Sequence, residues 1–381
     1  MKRIIGLLLT VAMLATLFVG CASKTDDKTL IIGGSGPLTG DYASYGISVE
    51  NGAKLAAKEI NEAGGIAGFT VEVQMEDDQA DPAMAVNAYA KLIDAGMHIS
   101  LGSVTSGACV ATVEETQADG ILMLTPSASQ KEATQYPNAF RVCFTDPAQG
   151  VYASDFIKDN GIAAKVAVLY DNSNDYSNGI AENFISTSSE NGLEIVETQT
   201  FTDQSKTDFT VQLEAVKKSG AELLFLPIYA QEAAYILTQA EDIGLDVIFF
   251  GCDGLDGIIE KIGEENLAAT EGVMLLTPFA ADSTDEVSSA FVAAYKASYE
   301  DATPDQFAAG GYDAVYAIKA AVEKAGITDL DAKDFNEKVI AAMTEIEIKG
   351  ATGTMKWTAD GESEKTANAV TIVNGVYEAY N

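Results

Sequence analysis

Histidine and tryptophan are almost absent from this sequence of 381 residues, which contains one of each. The single histidine, His98, lies in the apolar stretch from Met97 to Leu101, where a packed histidine is the expected role. Histidine-based acid–base catalysis and histidine-rich zinc sites are therefore largely excluded. Positive charge is also scarce, because 23 Lys and Arg accompany 57 Asp and Glu, for a formal net charge of −34. A surface this acidic repels nucleic acids and anionic lipids, so binding to either is not expected.

Cysteine occurs at only four positions, and their spacing fits no metal-binding motif. No metal or other cofactor is therefore expected. Cys21 belongs to the N-terminal segment described next, which leaves Cys109, Cys143 and Cys252. A disulfide between Cys109 and Cys143, which fall in the same predicted half of the chain, is the preferred pairing outside the cell. Three buried free thiols are the alternative, and the sequence leaves it open.

The first twenty residues have the pattern of a secretion signal, with two basic residues followed by an uncharged apolar run over residues 4–19. This run is shorter than the ~20 apolar residues that comfortably span a bilayer. Its end, Phe18-Val19-Gly20-Cys21, resembles the lipobox of bacterial lipoproteins. The resemblance implies a signal peptide over residues 1–20, acylation of Cys21 and a lipid-anchored linker over residues 21–28. An uncleaved anchor helix with an incidental cysteine is the alternative.

The rest of the chain alternates strand-like apolar stretches with helical patterns. Strands are predicted at 29–34, 71–76, 97–102, 121–125, 139–144, 166–170, 193–198, 223–228, 247–250, 273–277, 353–357 and 369–373. Helices are predicted at 49–60, 82–95, 107–118, 179–191, 208–219, 231–243, 285–300, 305–325 and 334–345. The two series of alternating elements predict an α/β fold with two doubly wound parallel-sheet domains. Ligands bind such sheets beyond the carboxyl ends of their strands, and the two sets of ends can face each other across a cleft.

Polar loops follow several of the predicted strands. The loop Gly102–Gly107 opens a helix and offers hydroxyls and free N–H groups to a carboxylate, although Ser106 could also simply cap that helix. A second hydroxyl cluster spans Thr125–Ser129. Asp253, flanked by glycines at a strand end, could meet an ammonium group or form an Asx turn. The loop Gly34–Gly40 is one residue too long for a G-x-G-x-x-G dinucleotide motif.

A set of motifs extends from Leu30 to Trp357. They are Gly36-Pro37-Leu38-Thr39-Gly40, Asn51-Gly52-Ala53, Ile60–Ile66, Asp77-Asp78, Gly120–Pro126, Asp146–Gly150, Gln239-Ala240 and Gly244-Leu245. Together they resemble the branched-chain amino-acid (Leu/Ile/Val) binding proteins of ABC importers, which have the periplasmic-binding-protein type I fold. The resemblance implies two lobes joined by a three-strand hinge, with the ligand cleft between them. Its boundaries place residues 29–147 plus 277–357 in the N-terminal lobe and residues 148–276 plus 358–381 in the C-terminal lobe.

The same resemblance assigns ligand contacts by motif position. Ser106, Ser127 and Ser129 match the groups that hold the ligand carboxylate. Asp253 and Tyr176 match those that hold the α-ammonium. The remaining matches are aromatic residues of the cleft: Tyr45, Tyr229 and Phe279. The family disulfide is absent, because Ala80 and Thr105 stand at its two positions.

These features imply a receptor and not an enzyme. We expect a monomeric extracytoplasmic lipoprotein that binds a branched-chain or other neutral amino acid and delivers it to the transmembrane subunits of an ABC permease. Three alternatives stay open: the same fold binding an amide or another small polar solute, a sensor without transport, and an extracellular enzyme. The enzyme has the least support, because no nucleophile motif such as G-x-S-x-G or S-x-x-K occurs at the cleft serines.

Overall fold

The computed structural model describes residues 28–363, 365 and 367–380. The predicted signal peptide over residues 1–20, Cys21 and nearly all of the predicted linker lie outside the described residues. Within the described part of the chain, no helix combines the length and the apolar character needed to cross a membrane.

The N-terminal lobe is built on a five-stranded parallel sheet with the strand order β2-β1-β3-β4-β5. Its strands are β1 (Thr29–Gly36), β2 (Thr70–Asp77), β3 (Ile99–Ser103), β4 (Met123–Thr125) and β5 (Ala139–Arg141). The helices that connect them are α1 (Ala43–Glu62), α2 (Pro82–Asp94) and α3 (Ser106–Asp119). Asp81 caps α2, since its side chain accepts a hydrogen bond from Met84 N, and Pro82 occupies the first turn. These elements confirm the predicted parallel βα series of the first half.

The C-terminal lobe is built on a seven-stranded sheet with the order β14-β13-β10-β9-β8-β6-β7. Its strands are β6 (Lys165–Asp171), β7 (Glu194–Phe201), β8 (Leu223–Leu226), β9 (Ile248–Gly251), β10 (Met274–Thr277), β13 (Asn368–Val373) and β14 (Val376–Ala379). Its helices are α4 (Asp146–Asp159), α5 (Asp175–Asn191), α6 (Thr210–Ser219), α7 (Ala230–Asp242) and α8 (Ile258–Ile262). The core of the lobe includes the stacked rings of Phe184 and Phe225, whose centroids are 3.9 Å apart.

The second sheet is not wholly parallel, in contrast to the prediction. β13 pairs antiparallel with β10, and β14, which the sequence did not predict, pairs antiparallel with β13. The two-residue turn between them, Asn374-Gly375, has positive φ at both positions, 52° and 73°. This is the backbone of a tight hairpin, and a hairpin can only return the chain antiparallel.

The chain returns to the N-terminal lobe between β10 and β13. This part contains α9 (Glu286–Ser298), α10 (Gln306–Lys324), α11 (Phe335–Met343), β11 (Glu347–Gly350) and β12 (Gly353–Lys356). α10 packs closely on α1 because Gly52 lacks a side chain, and a Cβ there would lie 1.8 Å from Ala308 O. β11 was not predicted. Among the described strands it pairs with β12 alone, in a two-stranded hairpin outside the main sheet.

The chain passes between the two sheets three times, after β5, after β10 and after β12. The first and third passages are joined at Arg141, which is fully buried. Its backbone N–H donates to Gly361 O at 3.0 Å, and its carbonyl accepts from Trp357 Nε1 at 2.7 Å. Its guanidinium lies 2.9 Å from a carboxylate oxygen of Glu362. These contacts join two of the three passages of the predicted three-strand hinge, while the exact lobe boundaries remain a prediction.

The preferred disulfide between Cys109 and Cys143 is wrong. Cys109, Cys143 and Cys252 are all free and buried. Cys109 lies in α3 with its Sγ 4.0 Å from Met123 Sδ in an apolar cluster, whereas Cys143 lies in the hinge segment after β5. Burial raises the pKa of all three thiols, so they remain protonated and poorly reactive.

His98 is a packed residue, as expected. Its Nδ1 accepts a hydrogen bond from Ile31 N at 3.1 Å, and its ring packs edge-on against Phe335 at 6.1 Å. Burial lowers its pKa, so the imidazole is neutral at physiological pH.

Candidate functional site

A small enclosed cavity lies between the lobes, at the carboxyl ends of strands from both sheets. Its walls are formed by Tyr45, Val104, Thr105, Ser106, Ser127, Ser129, Tyr176, Tyr229, Asp253, Gly254 and Phe307. Seven of the eight predicted contact residues are in this set, and Phe279 is not. The cavity volume is about 20 Å³, which is room for one or two water molecules. An amino acid can therefore enter only when the lobes separate or the wall side chains move.

The serine side of the cavity belongs to the N-terminal lobe. Ser106 is the first residue of α3, where backbone N–H groups have no partner within the helix. Its Oγ accepts hydrogen bonds at 3.2 Å from both Ser129 N and Gln130 N. Because the oxygen already accepts two bonds, its own hydrogen is left to donate towards the cavity. Ser127 Oγ donates to Val104 O at 2.7 Å, which ties the loop after β4 to the loop after β3.

The acidic side belongs to the C-terminal lobe. Asp253 follows β9 in a short 3-10 turn and is 4% exposed. The Tyr176 hydroxyl donates to Asp253 Oδ1 at 2.7 Å and accepts from Gly254 N at 2.9 Å. Burial raises the pKa of Asp253 to about 6, opposed by hydrogen bonds from Tyr176 and Gln149. The Asp253 side chain is therefore an ionised carboxylate at neutral pH. No Lys or Arg among the described residues forms an ion pair with it.

The two sides have complementary character. Hydroxyls and a helix N-terminus on one lobe favour an anionic group, whereas Asp253 on the other lobe favours a cationic one. A ligand that carries both charges close together would satisfy both lobes at once. This is the charge arrangement of an α-amino acid.

Aromatic rings form the remaining wall. Tyr176 stacks on Tyr229 with centroids 4.9 Å apart, Tyr45 lies 5.5 Å from Tyr229, and Phe307 lies 4.7 Å from Tyr45. Phe307 was missed from the sequence. It lies in the first turn of α10, and the signal that could have identified it is the capping residue Asp305, which fixes the helix start and so directs Phe307 into the cleft.

Phe279 was predicted to line the cleft and lies elsewhere. It packs against Phe291, with centroids 5.8 Å apart, and lines a separate cavity of about 500 Å³. The cause is local, because Thr277 Oγ1 donates to Phe279 O at 2.9 Å and accepts from Phe279 N at 3.1 Å. This tight turn directs the ring to the core beneath α9.

Two buried polar residues behind the cavity were also missed. Asp146 N donates to Ser129 O at 2.9 Å, and Gln149 Oε1 accepts from Asp253 N at 3.1 Å. The first turn of α4 therefore holds the serine loop and the acidic loop together. Burial raises the pKa of Asp146 well above its ordinary value, and the nearby Asp253 carboxylate raises it further.

The mouth of the cleft is closed by polar contacts between the lobes. The Tyr42 hydroxyl donates to Glu232 Oε1 at 2.7 Å and accepts from Lys206 Nζ at 3.2 Å. Lys206 Nζ also lies 5.0 Å from the centre of the Tyr42 ring, and its nearest carboxylate is that of Asp203, at 2.9 Å. Tyr42 belongs to the N-terminal lobe and its partners to the other, so these contacts form only when the lobes are together.

Comparison with known proteins identifies the family. The sequence matches the periplasmic binding protein family over residues 29–376. The chain belongs to this family. The chain is 32% identical over 327 residues to the Leu/Ile/Val-binding protein homolog 3 of Brucella melitensis, covering 85% of this chain and 86% of that one. It is 31% identical over 337 residues to the leucine-, isoleucine-, valine-, threonine- and alanine-binding protein of Pseudomonas aeruginosa, covering 88% and 87% of the two chains.

The fold of this periplasmic binding protein is also similar to solved structures. The branched-chain amino-acid transporter binding protein LivJ of Streptococcus pneumoniae, in complex with isoleucine, has a TM-score of 0.84 and 30% identity. The match covers 92% of this chain and 98% of LivJ. The resemblance inferred from the motifs is confirmed. As a periplasmic binding protein, the chain is an extracytoplasmic solute-binding receptor of a transporter and not an enzyme.

Proposed function

We propose that this periplasmic binding protein binds a neutral α-amino acid between its lobes and delivers it to the transmembrane subunits of an ABC permease. The observation that carries the proposal is the position of Asp253 and Tyr176 opposite Ser106, Ser127 and Ser129 across one cavity. The relatives support it, since their names give leucine, isoleucine, valine, threonine and alanine as ligands. The apolar and aromatic remainder of the wall favours an uncharged ligand side chain.

The ligand carboxylate would lie at the start of α3, where the Ser106 hydroxyl and the Ser129 side chain can donate to it. The ammonium would lie against Asp253, which the Tyr176 hydroxyl orients. Each lobe then holds one charged group of the same small molecule. Binding therefore stabilises the arrangement in which the lobes are in contact, because only that arrangement gives the ligand both sets of bonds.

The pH dependence of binding tests the role of Asp253. An ammonium pairs with the ionised carboxylate, and the pKa of Asp253 without ligand is about 6. We expect affinity for L-amino acids to be constant between pH 7 and 8 and to fall about tenfold per pH unit well below pH 6. Calorimetric titration from pH 8 to pH 5, with thermal unfolding followed in parallel, would measure this. Equal affinity at pH 8 and pH 5 would show that no ionised carboxylate holds the ligand.

We further propose that Cys21 is acylated, so that the receptor is a lipoprotein held at the cell membrane by its linker, as a monomer. The lipobox resemblance supports this. A tether of this kind raises the concentration of the receptor near its permease. The mass of the N-terminal peptide from the membrane fraction would test acylation, and a Cys21→Ala chain found in that fraction to the same extent would contradict it.

A further inference from the structure

The cavity of about 500 Å³ that Phe279 lines is the second cavity between the lobes, and it is far larger than the space at the candidate site. Proteins hold small organic molecules in cavities of about 300–1,000 Å³. The C-terminal lobe forms one side of it, through α8 and the hairpin of β13 and β14. The chain segments before and after α9 form the other side. The two cavities share no lining residue.

Apolar side chains line much of the second cavity. Leu275 and Val370 come from its sheet side, and Ile259 and Phe279 face it from α8 and from the segment after β10. Val376 is also part of the lining and is 60% exposed, so the cavity meets the solvent at that end. An apolar surface that the fold leaves uncovered favours a ligand with an apolar body.

The charged residues of the lining are mostly acidic. Four are carboxylic acids and one is basic: Asp256, Glu260, Asp282, Asp305 and Lys296. Within the described part of the chain, Lys296 forms an ion pair with none of these acids. Negative charge therefore predominates around the cavity, which attracts cations and repels anions.

Asp256 is the acid in this lining that lacks a charged partner inside the protein. Its side chain is 6% exposed, and Gln306 is its only hydrogen-bond partner among the described residues, through a backbone N–H 3.1 Å from Oδ2. No described Lys or Arg forms an ion pair with it. Burial raises its pKa, and the carboxylate of Asp305 raises it further. A carboxylate can accept about four hydrogen bonds, so most of the capacity of Asp256 is unused.

The neighbouring Asp305 is accounted for by the fold. Its Oδ1 accepts from Ala308 N at 2.8 Å and caps α10, and its Oδ2 accepts from Ser48 Oγ at 2.6 Å. Asp256 has no comparable structural role. Because a buried carboxylate without a counter-charge is unfavourable, a cation that enters the cavity would supply what the protein does not.

We propose that the second cavity is a ligand site separate from the candidate site, and that it takes a small organic amine whose ammonium group pairs with Asp256 and whose apolar body packs against the apolar walls. This site goes beyond the proposed amino-acid function and does not depend on it. The amine would contact both lobes, because both contribute to the lining.

Calorimetry at pH 7.5 with 2-phenylethylamine, 2-phenylethanol and 3-phenylpropionate tests the proposal, because the probes share one apolar body and differ in charge. The native chain should bind one amine with a Kd below about 1 mM. The alcohol and the carboxylate should bind at least about tenfold more weakly. Asp256→Asn preserves the size of the side chain and its acceptor for Gln306 N, and should weaken amine binding at least about tenfold. Asp246→Asn, at an exposed position outside both cavities, is the charge-matched control and should bind the amine normally.

Asp253→Asn distinguishes the two cavities. It removes the carboxylate proposed to hold the amino-acid ammonium, so amine affinity should stay within about threefold of the native value. Loss of amine binding in this variant would place the amine at the candidate site and overturn the second site. Equal affinity for the amine and the alcohol, or no amine binding by the native chain, would overturn it as well.

Folding and the amino-acid function are checked separately. If Asp256→Asn does not fold, as judged by circular dichroism, the three probes on the native chain and the result with Asp253→Asn decide the proposal. L-alanine titrated into the native chain reports on the amino-acid function. Amine binding without L-alanine binding would contradict that function and support the second site, whereas the reverse result would overturn the second site alone.

Discussion

Asp253→Asn is expected to remove most of the affinity for amino acids without unfolding the protein. The carboxylate is buried, receives a hydrogen bond from Tyr176 and has no cation beside it among the described residues, so a ligand ammonium is its natural partner. Removing one member of a buried charge pair costs about 2–5 kcal/mol of binding free energy. This corresponds to an affinity at least about 30-fold weaker in calorimetric titration.

The effect on stability should have the opposite sign. Burial raises the pKa of Asp253 above its unfolded value, so without ligand the ionised carboxylate destabilises the fold as pH rises through about 6. Asparagine carries no charge, and its side-chain oxygen can still accept from Tyr176. The midpoint of thermal unfolding at pH 7.5 should therefore stay the same or rise. Asp246→Asn, at an exposed loop position, is the charge-matched control and should bind normally. Unchanged affinity in Asp253→Asn would remove this residue from the site.

Arg141→Met is expected to lower the free energy of unfolding by about 2–4 kcal/mol, because it leaves the buried acceptors of the guanidinium without a donor, while the partly exposed Glu362 can be solvated. The guanidinium contacts Glu362 at 2.9 Å and donates to Ala128 O at 2.9 Å and to Lys131 O at 3.1 Å. It therefore joins the third hinge passage to the loop that carries the cavity serines. Chemical denaturation monitored by fluorescence would measure the loss.

The control for Arg141 is its neighbour Lys131. Lys131→Met also removes a positive charge, but Lys131 is exposed and offers Arg141 only its backbone carbonyl. It should change stability by less than about 0.5 kcal/mol. Because Arg141 also holds the loop after β4, Arg141→Met should weaken amino-acid binding as well. A stability equal to that of Lys131→Met would show that the hinge does not depend on the buried guanidinium.

Most strands and helices of the two lobes could be predicted from the sequence, because the spacing of apolar residues reflects which side chains are buried. Inner strands such as β8 are continuous apolar runs, whereas the edge strand β2 alternates buried and exposed residues in its first half. Capping residues such as Asp81 mark where helices begin. The strand β14 (Val376–Ala379), which forms an antiparallel hairpin with β13, could not be predicted with the same ease. Its residues are mostly exposed, so they lack the apolar pattern, and only the Asn374-Gly375 turn indicates that the chain reverses.

In the candidate site, too, some residues could be predicted from the sequence and others could not. Residues fixed by a motif at a strand end, such as Ser106 and Asp253, were predicted because the loop sequence determines their place. Phe279 was misplaced because a hydrogen-bonded turn two residues earlier, at Thr277, directs its ring away from the cleft. Gln149 was noted only as part of the motif Asp146–Gly150, because its contact with Asp253 joins residues 104 positions apart in the chain.

The lobes of this protein are held together by contacts that lie in or beside the ligand cavity. Tyr45 bonds to Gly254 and Ala230 within the cavity, Tyr42 bonds to Glu232 at its mouth, and Gln306 Nε2 donates to Asp253 O. Two of the proposed ligand contacts, Tyr45 and Asp253, therefore also take part in the contacts between the lobes. This is the coupling that a receptor needs if its permease is to distinguish the occupied form from the empty one.

The most direct test of the account compares L-alanine with analogues that lack one or both of its charged groups. Calorimetry on the native chain would use L-alanine, propionate, ethylamine and propionamide at pH 7.5. We predict measurable binding of L-alanine and affinities at least about 100-fold weaker for all three analogues, because each leaves at least one lobe without its charged partner. Propionate or propionamide binding as tightly as L-alanine would contradict recognition of the α-ammonium by Asp253, and with it the assignment of this protein as an amino-acid receptor.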